Sequence, residues 1–307
     1  MKVDLLLFLT AFIWGFAFVA QRVGMSHMGP FTFTGIRFSL GALSLVPFLI
    51  WQRRKNLDPT EFRLKAYWVP IGLTGLALFL GAALQQVGLV GTTAGKGGFI
   101  TGLYVTLVPL LALLWGVRTH TAHWAGALLA VVGLYLLSVG EGWAVSTYDL
   151  VLLAGAFVWA VHVHLIDKYS NPVGPLRLAF FQAAVCGLLG LVAAVIFEPI
   201  TLSGIKEGLW TLLYGSILSV GVAFTLQITA QRTANPSHVV IILSLEGVFA
   251  ALGGWLVLNE VMAPRGLIGA GLILTGTLIS QFFGKPRKNT DAGDVNPEGS
   301  ATERQIS

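Results

Sequence analysis

Ten apolar runs, each about as long as a membrane-spanning helix, follow one another along the chain. A helix needs roughly 20 mostly apolar residues to cross the hydrocarbon core of a bilayer. The runs cover residues 5–23, 31–51, 66–89, 93–115, 122–139, 150–166, 174–197, 208–230, 237–258 and 266–283. Only 11% of the residues are charged, whereas a soluble domain has about 25%, so lipid has to cover most of the surface. The sequence therefore predicts an all-α integral membrane protein with ten transmembrane helices.

The second half of the chain repeats the first. The matched residues lie 142 to 145 positions apart and include Asp4 with Asp149, Trp14 with Trp159, Gln85 with Gln227, Gly126 with Gly269 and Gly133 with Gly276. Because each copy has an odd number of helices, consecutive copies cross the membrane in opposite directions. We therefore expect two inverted five-helix repeats, residues 1–140 and 141–284, followed by a disordered cytoplasmic tail at 285–307. Inverted repeats are common in secondary transporters, which bind substrate between the copies.

The lysines and arginines are distributed unevenly between the two sides of the membrane. If the N-terminus is cytoplasmic, 14 of the 19 lie on the cytoplasmic side. The outer side has only Arg22, Lys206 and Arg265, and Arg37 and Lys96 lie within spans. Because basic residues favour the cytoplasmic side, both termini are predicted to be cytoplasmic. The net charge is +5, but the basic residues lie in short loops between apolar runs and not on a solvated face, so we expect no nucleic-acid partner.

Short motifs occur in a recognisable order in both halves. They are Trp14–Ala20, Gly29-Pro30, Arg37-Phe38, Thr92–Lys96, Phe99–Tyr104, Leu245-Glu246 and Asn259-Glu260. In this order and spacing the chain resembles the EamA-like drug/metabolite transporters over roughly residues 5–283. The resemblance implies a location in the inner (plasma) membrane and transport, often efflux, of a small metabolite. It leaves the substrate open, since the family handles amino acids, sugars, nucleotides and drugs.

Glu246 is the most deeply placed carboxylate in the sequence. It lies about nine residues into the ninth run, roughly 14 Å from its start and close to the midplane. A charge at that depth costs about 2.5–3.5 kcal/mol on insertion scales, which makes Glu246 a candidate functional residue. It can bind a substrate cation or carry a coupling proton. The alternative is an ion pair that holds helices together.

Two basic residues within spans are further candidates. Lys96, near the outer start of the fourth run, can point inward and bind a carboxylate, or extend its side chain outward to the membrane surface. Arg37 lies about two turns below the outer end of the second run, and its guanidinium suits bidentate contact with a carboxylate or phosphate. A structural role in pairing helices is the alternative for Arg37. A zwitterionic substrate would bridge Lys96 and Glu246.

Uncharged residues complete the predicted substrate-binding site. The repeat-matched amides Gln85 and Gln227 can line a polar pathway or hydrogen-bond neighbouring helices. Trp14 and Trp159 lie near the middle of their helices, away from the interfaces that tryptophan favours, so they either wall a cavity or pack in the core. The predicted site is thus Glu246, Lys96, Arg37, Gln85, Gln227, Trp14 and Trp159.

The sequence predicts no catalytic residue, cofactor or metal. His162 and His164 are two residues apart, and on a helix such side chains point about 200° apart, so they cannot easily bind one ion. We expect a secondary transporter that moves a small polar, amino-acid-like metabolite across the bilayer by alternating access, with protons as a candidate coupling ion. The alternative is a membrane-embedded enzyme for a lipid-like substrate. The sequence leaves the oligomeric state open.

Overall fold

The computed structural model describes residues 2–55, 64–115, 120–138, 146–231, 239 and 242–283. The first half contains α1 (Lys2–Gly24), α2 (Pro30–Arg54), α3 (Leu64–Val90), α4 (Ala94–Gly102), α5 (Tyr104–Leu111), a 3₁₀ turn (Ala112–Trp115) and α6 (Thr121–Ser138). The second half contains α7 (Thr147–Val173), α8 (Pro175–Phe197), the short α9 (Leu202–Glu207), α10 (Leu209–Leu213), a π-helix (Tyr214–Ala223), α11 (Phe224–Gln231), α12 (Leu245–Leu258) and α13 (Pro264–Phe283). The predicted tail at 285–307 lies outside the described residues.

Within the described ranges, nine helical stretches are long and apolar enough to cross a membrane, and α12 is a shorter apolar helix. One stretch (Ala94–Leu114) combines α4 and α5, and another (Leu209–Ala230) combines α10, the π-helix and α11. Large apolar side chains cover the outside of the bundle, such as Leu43, Trp68 and Val195, which are 62%, 68% and 75% exposed. The prediction of an all-α integral membrane protein is confirmed, because such a surface is stable only against lipid.

Matched helices of the two halves cross each other in antiparallel directions. α6 packs so closely on α13 that a Cβ added to Gly126 would lie 2.4 Å from the carbonyl oxygen of Gly276. Two turns further along α6, a Cβ added to Gly133 would lie 2.5 Å from the carbonyl oxygen of Gly269. The helix pairs α2–α8 and α4–α12 also run antiparallel. Because these helices meet their own repeat-mates running the other way, the two halves are inverted relative to each other.

Three of the described spans depart from a regular α-helix inside the bundle. Leu103 forms a turn between the end of α4 at Gly102 and the start of α5 at Tyr104, and a turn at Ser244 precedes α12. In the eighth span the backbone is a π-helix, a rare conformation that is found mostly at functional sites. Leu103 and Ser244 both keep right-handed helical backbone angles, so these irregular turns bend the helices without unwinding them, and Tyr104 and Glu246 lie just after the bends.

Candidate functional site

A cavity of about 60 Å³ lies between the two halves of the bundle. Its polar lining residues are Trp14, Gln21, Arg37, Gln85, Thr101, Tyr104, Trp159, His162, Ser219, Gln227 and Glu246, and its apolar walls include Phe18, Phe38 and Phe224. One water-sized sphere needs about 10–15 Å³, so the cavity has room for roughly four to six of them in this conformation. The cavity therefore suits a small polar molecule.

Six of the seven residues of the predicted site line this cavity. They come from six different helices: Trp14 from α1, Arg37 from α2, Gln85 from α3, Trp159 from α7, Gln227 from α11 and Glu246 from α12. Lys96 is the exception, because it lies beside a separate pocket near the start of α4. The fold thus brings together residues that are up to 232 positions apart in the chain. Their role in binding substrate stays a prediction.

Glu246 is a buried carboxylate, 3% exposed, in the first turn of α12. Its Oε1 has no hydrogen-bond partner among the described residues. Gly15 of α1 and Gly98 of α4 allow α12 to approach closely: added Cβ atoms would lie 2.8 Å from the Glu246 carbonyl oxygen and 2.4 Å from the Cβ of Ala250. An acidic group is therefore held rigidly at the cavity wall with an acceptor atom left for a ligand.

Arg37 brings a positive charge to the same cavity. It is 3% exposed, and its guanidinium carbon lies 4.7 Å from the ring centre of Phe38 and 5.4 Å from that of Phe33. Gly215 leaves the room for its side chain, since a Cβ there would lie 2.6 Å from the Arg37 Cδ. Arg37 forms no ion pair with any described carboxylate, and its Nε has no hydrogen-bond acceptor among the described residues. Stacking on aromatic rings orients the guanidinium but leaves its hydrogen bonds to be made.

Both the oxygen and the nitrogen of the Gln85 side-chain amide form hydrogen bonds within the protein. The Nε1 of Trp159 donates to Gln85 Oε1 over 3.0 Å, and Gln85 Nε2 donates to Gln21 Oε1 over 2.9 Å. Gln21 Nε2 donates in turn to the carbonyl oxygen of Ala17 over 3.1 Å. These bonds connect α7, α3 and α1 along one wall of the cavity.

The repeat-matched residues of the other half are arranged differently. Trp14 Nε1 donates to the backbone carbonyl of Ser219, in the π-helix, over 3.1 Å. Gln227 is 2% exposed, and its Oε1 has no partner within the described part of the protein. A buried amide oxygen without a hydrogen bond is costly unless a ligand or water supplies one. Of the two matched amides, therefore, Gln85 is occupied and Gln227 is available.

Lys96 forms an ion pair that the sequence did not reveal. Its Nζ lies 2.8 Å from Oδ2 of Asp149, whose side chain is 1% exposed, and Thr92 Oγ1 donates to the other carboxylate oxygen over 3.0 Å. Lys96 therefore points toward the other half of the chain, and the structure does not bring it to the cavity with Glu246. The sequence feature that could have indicated this ion pair is the position of Asp149, a carboxylate at the very start of an apolar run.

Tyr104 and Thr101 also belong to the site, although they were not predicted as site residues. They lie on either side of the turn at Leu103, and both hydroxyl groups are buried without a hydrogen-bond partner among the described residues. Tyr104 matches Glu246 at the same offset of 142 positions that relates Gln85 to Gln227. The internal repeat therefore contained a signal that Tyr104 faces the cavity.

His162 and His164 have separate hydrogen-bond partners. His162 Nε2 is 3.0 Å from Gln182 Oε1, whereas His164 Nε2 donates to the carbonyl oxygen of Val108 over 3.0 Å. Of the two, only His162 lines the cavity. The described residues contain no group of three or more potential metal ligands. A further histidine, His238, which the sequence places near the cytoplasmic start of the ninth run, lies outside the described residues.

An inverted-repeat bundle with a polar cavity between its halves defines a membrane transporter. The model of the EamA-like transporter family matches residues 1–139 and 146–282, and the chain belongs to this family. It is 34% identical to an uncharacterized transporter of Archaeoglobus fulgidus over 90% of this chain and 84% of that protein. It is 24% identical to the threonine/homoserine exporter RhtA of Escherichia coli, over 86% and 85% of the two chains. A solved crystal structure at 21% identity has the same fold, with a TM-score of 0.68 over 95% of this chain and 99% of the other.

Proposed function

We propose that the protein is a secondary transporter that exports a small zwitterionic, amino-acid-like metabolite by alternating access. One observation supports this most strongly: Glu246 and Arg37 have opposite charges, are both buried and line one cavity, and neither forms an ion pair with a described residue. Burying an unpaired charge costs several kcal/mol. A ligand with an ammonium group for Glu246 and a carboxylate for Arg37 would remove both costs at once.

The uncharged lining residues suit the rest of such a ligand. Gln227, Tyr104 and Thr101 each present a buried oxygen that has no partner in the described part of the chain. A hydroxyl group on the substrate would bond well to these oxygens. The cavity volume of about 60 Å³ in this conformation favours a substrate with a small side chain. Threonine is therefore our first candidate, and the relative named as a threonine/homoserine exporter favours the same choice.

Glu246 also suits a coupling role. A carboxylate that binds either a proton or the ammonium group of the substrate exchanges one for the other, because the two compete for the same oxygens. Export of substrate and entry of a proton would then be linked at Glu246 during each cycle. Downhill export, in contrast, would need no such exchange.

The distribution of basic residues supports an orientation in the inner (plasma) membrane with both termini in the cytoplasm. In this orientation the Lys96–Asp149 ion pair lies on the outer side. A fluorescent protein fused after Ser307 tests the orientation, because it should fluoresce in intact cells. A periplasmic reporter enzyme fused at the same position should be inactive.

Counterflow in proteoliposomes tests the proposed substrate class. We expect exchange of labelled threonine, and weaker exchange of two analogues, one lacking the carboxylate and one lacking the ammonium group. Arg37→Gln should abolish the advantage of threonine over the analogue without a carboxylate. Glu246→Gln should abolish its advantage over the analogue without an ammonium group. Equal losses for all three compounds in both variants would rule out charge recognition by these residues, and Arg22→Gln, outside the cavity, is the control.

A further inference from the structure

The two halves differ at one pair of repeat-matched contacts. Trp159 and Gln85 are hydrogen-bonded across the cavity wall, whereas their matches, Trp14 and Gln227, are not. The backbone differs in the same place: the second half has a π-helix at Tyr214–Ala223, and the matched stretch of the first half lies in the continuous helix α3. Two copies of one unit have thus adopted two local arrangements.

In an inverted repeat, such a difference has a direct mechanical meaning. Transporters of this type expose one central site to each side of the membrane in turn by moving one half against the other. If each half takes the arrangement of the other between these two states, the local contacts exchange as well. After that exchange Trp14 would donate to Gln227, and Trp159 would leave Gln85 for a backbone carbonyl of α3. The number of tryptophan hydrogen bonds stays the same, so neither state is strongly favoured by them.

We propose that the substrate binds one of the two matched amides at a time: Gln227 in this conformation and Gln85 in the opposite one. The amide that does not contact the substrate accepts a hydrogen bond from its matched tryptophan, which is Trp159 for Gln85 and Trp14 for Gln227. This inference rests on the proposed function, because it assumes that the cavity binds the substrate. It makes Trp14 and Trp159 positioning residues and Gln85 and Gln227 alternative substrate contacts.

Phe224 offers a physical connection between the two pairs. Its ring lies 4.9 Å from that of Trp14 and 6.4 Å from that of Trp159, measured between ring centres. It is also the first residue after the π-helix, whose carbonyl at Ser219 accepts the Trp14 bond. A movement of one indole therefore has to be accommodated by a ring that contacts the other. The two tryptophans would change partners together.

Labelling of a cavity cysteine from each side of the membrane tests the exchange without any substrate. Cys186 is the only cysteine, so Cys186→Ala provides a background in which Ala17→Cys adds one thiol to the cavity lining. A membrane-impermeant maleimide is applied to intact cells and to inside-out vesicles. Gln85→Leu removes the acceptor used in this conformation, and Gln227→Leu removes the acceptor expected in the opposite one. The ratio of the two labelling rates should shift about fivefold in opposite directions, as expected for one lost hydrogen bond.

Threonine protection then tests which amide the substrate contacts. Each substitution favours the conformation in which the substrate would contact the amide that has been removed. On the side from which labelling becomes faster, threonine should therefore protect the cysteine about tenfold less well than in the parent protein. Gln281→Leu, a buried amide of α13 outside the cavity, should change neither measurement. The corresponding Gln→Asn variants replace any leucine variant that fails to reach the membrane.

Each outcome has a defined meaning. Shifts in the same direction, or none, would overturn the exchange even if threonine is transported. Opposite shifts with unchanged threonine protection would overturn the assignment of the amides as alternative contacts. A complete absence of threonine protection in the parent protein, together with failed counterflow, would refute threonine as the substrate and with it the assignment of the amides as threonine contacts. The labelling ratios would still show whether the two halves exchange arrangements.

Discussion

The Lys96 amine lies 2.8 Å from the buried carboxylate of Asp149, and this ion pair joins α4 of the first half to α7 of the second. Asp149 is 1% exposed, whereas the Lys96 side chain is 24% exposed. The carboxylate therefore depends on the lysine much more than the lysine depends on the carboxylate. We infer that Lys96 contributes to the stability of the contact between the halves.

Replacing the lysine should therefore destabilise the protein. Lys96→Met leaves the buried Asp149 charge without its partner, which costs about 3 kcal/mol. Adding Asp149→Asn removes that charge and should restore most of the loss. Thermal unfolding in detergent measures both effects. A Lys96→Met protein of normal stability that no longer binds threonine would show instead that the lysine contacts the substrate.

Glu198 stabilises the start of α2 from the end of α8. Its carboxylate accepts bonds of 2.7 Å from the backbone N–H groups of Phe31 and Thr32 and from the Thr32 hydroxyl. We expect Glu198→Ala to lower the free energy of unfolding by about 2 kcal/mol, because it leaves helix N-terminal donors without an acceptor. Glu207→Ala is the control: its carboxylate is 65% exposed and pairs with His27, so the change should be within about 0.5 kcal/mol. Similar losses in both variants, measured by denaturation in mixed micelles, would contradict this role.

The contact between α6 and α13 requires glycine at specific positions. A Cβ at Gly269 would lie 2.5 Å from the carbonyl oxygen of Gly133, whereas a Cβ at Gly271, on the same helix, would have no atom within 4 Å. Gly269→Ala should therefore destabilise the protein by about 1–3 kcal/mol through overpacking. Gly271→Ala should be neutral or slightly stabilising, since alanine favours helix more than glycine does. If the two variants unfold at the same temperature, the helices do not approach as closely as described.

The spans could be predicted from the sequence because the bilayer demands long apolar runs, and the inverted relation follows from an odd number of spans in each copy. Glu246 and Arg37 could be identified because buried charge is costly and therefore rare. The irregular turns at Leu103 and Ser244 were not predictable, since leucine and serine are both common within membrane-spanning helices.

The partners of the polar residues were harder to predict than their positions. Hydropathy identifies Lys96 as unusual, but only the fold shows that Asp149, 53 positions away, lies beside it. The hydroxyl groups of Thr101 and Tyr104 cost little in a membrane helix, so nothing in their local sequence distinguishes a cavity residue from a core residue. Repeat matching was the stronger guide, because it relates Tyr104 to Glu246.

Proton coupling is expected to depend on Glu246. For one-to-one exchange at zero membrane potential, vesicles with an acidic lumen should accumulate threonine up to about tenfold per pH unit, because one unit of gradient is worth about 1.4 kcal/mol. Glu246→Gln cannot carry a proton and should show no response to the gradient, whereas Glu246→Asp should keep part of it. Glu260→Gln changes a carboxylate that accepts bonds from the backbone N–H of Ala94, outside the cavity, and should respond like the parent protein. Gradient-driven accumulation that survives in Glu246→Gln would assign the coupling to another residue or ion.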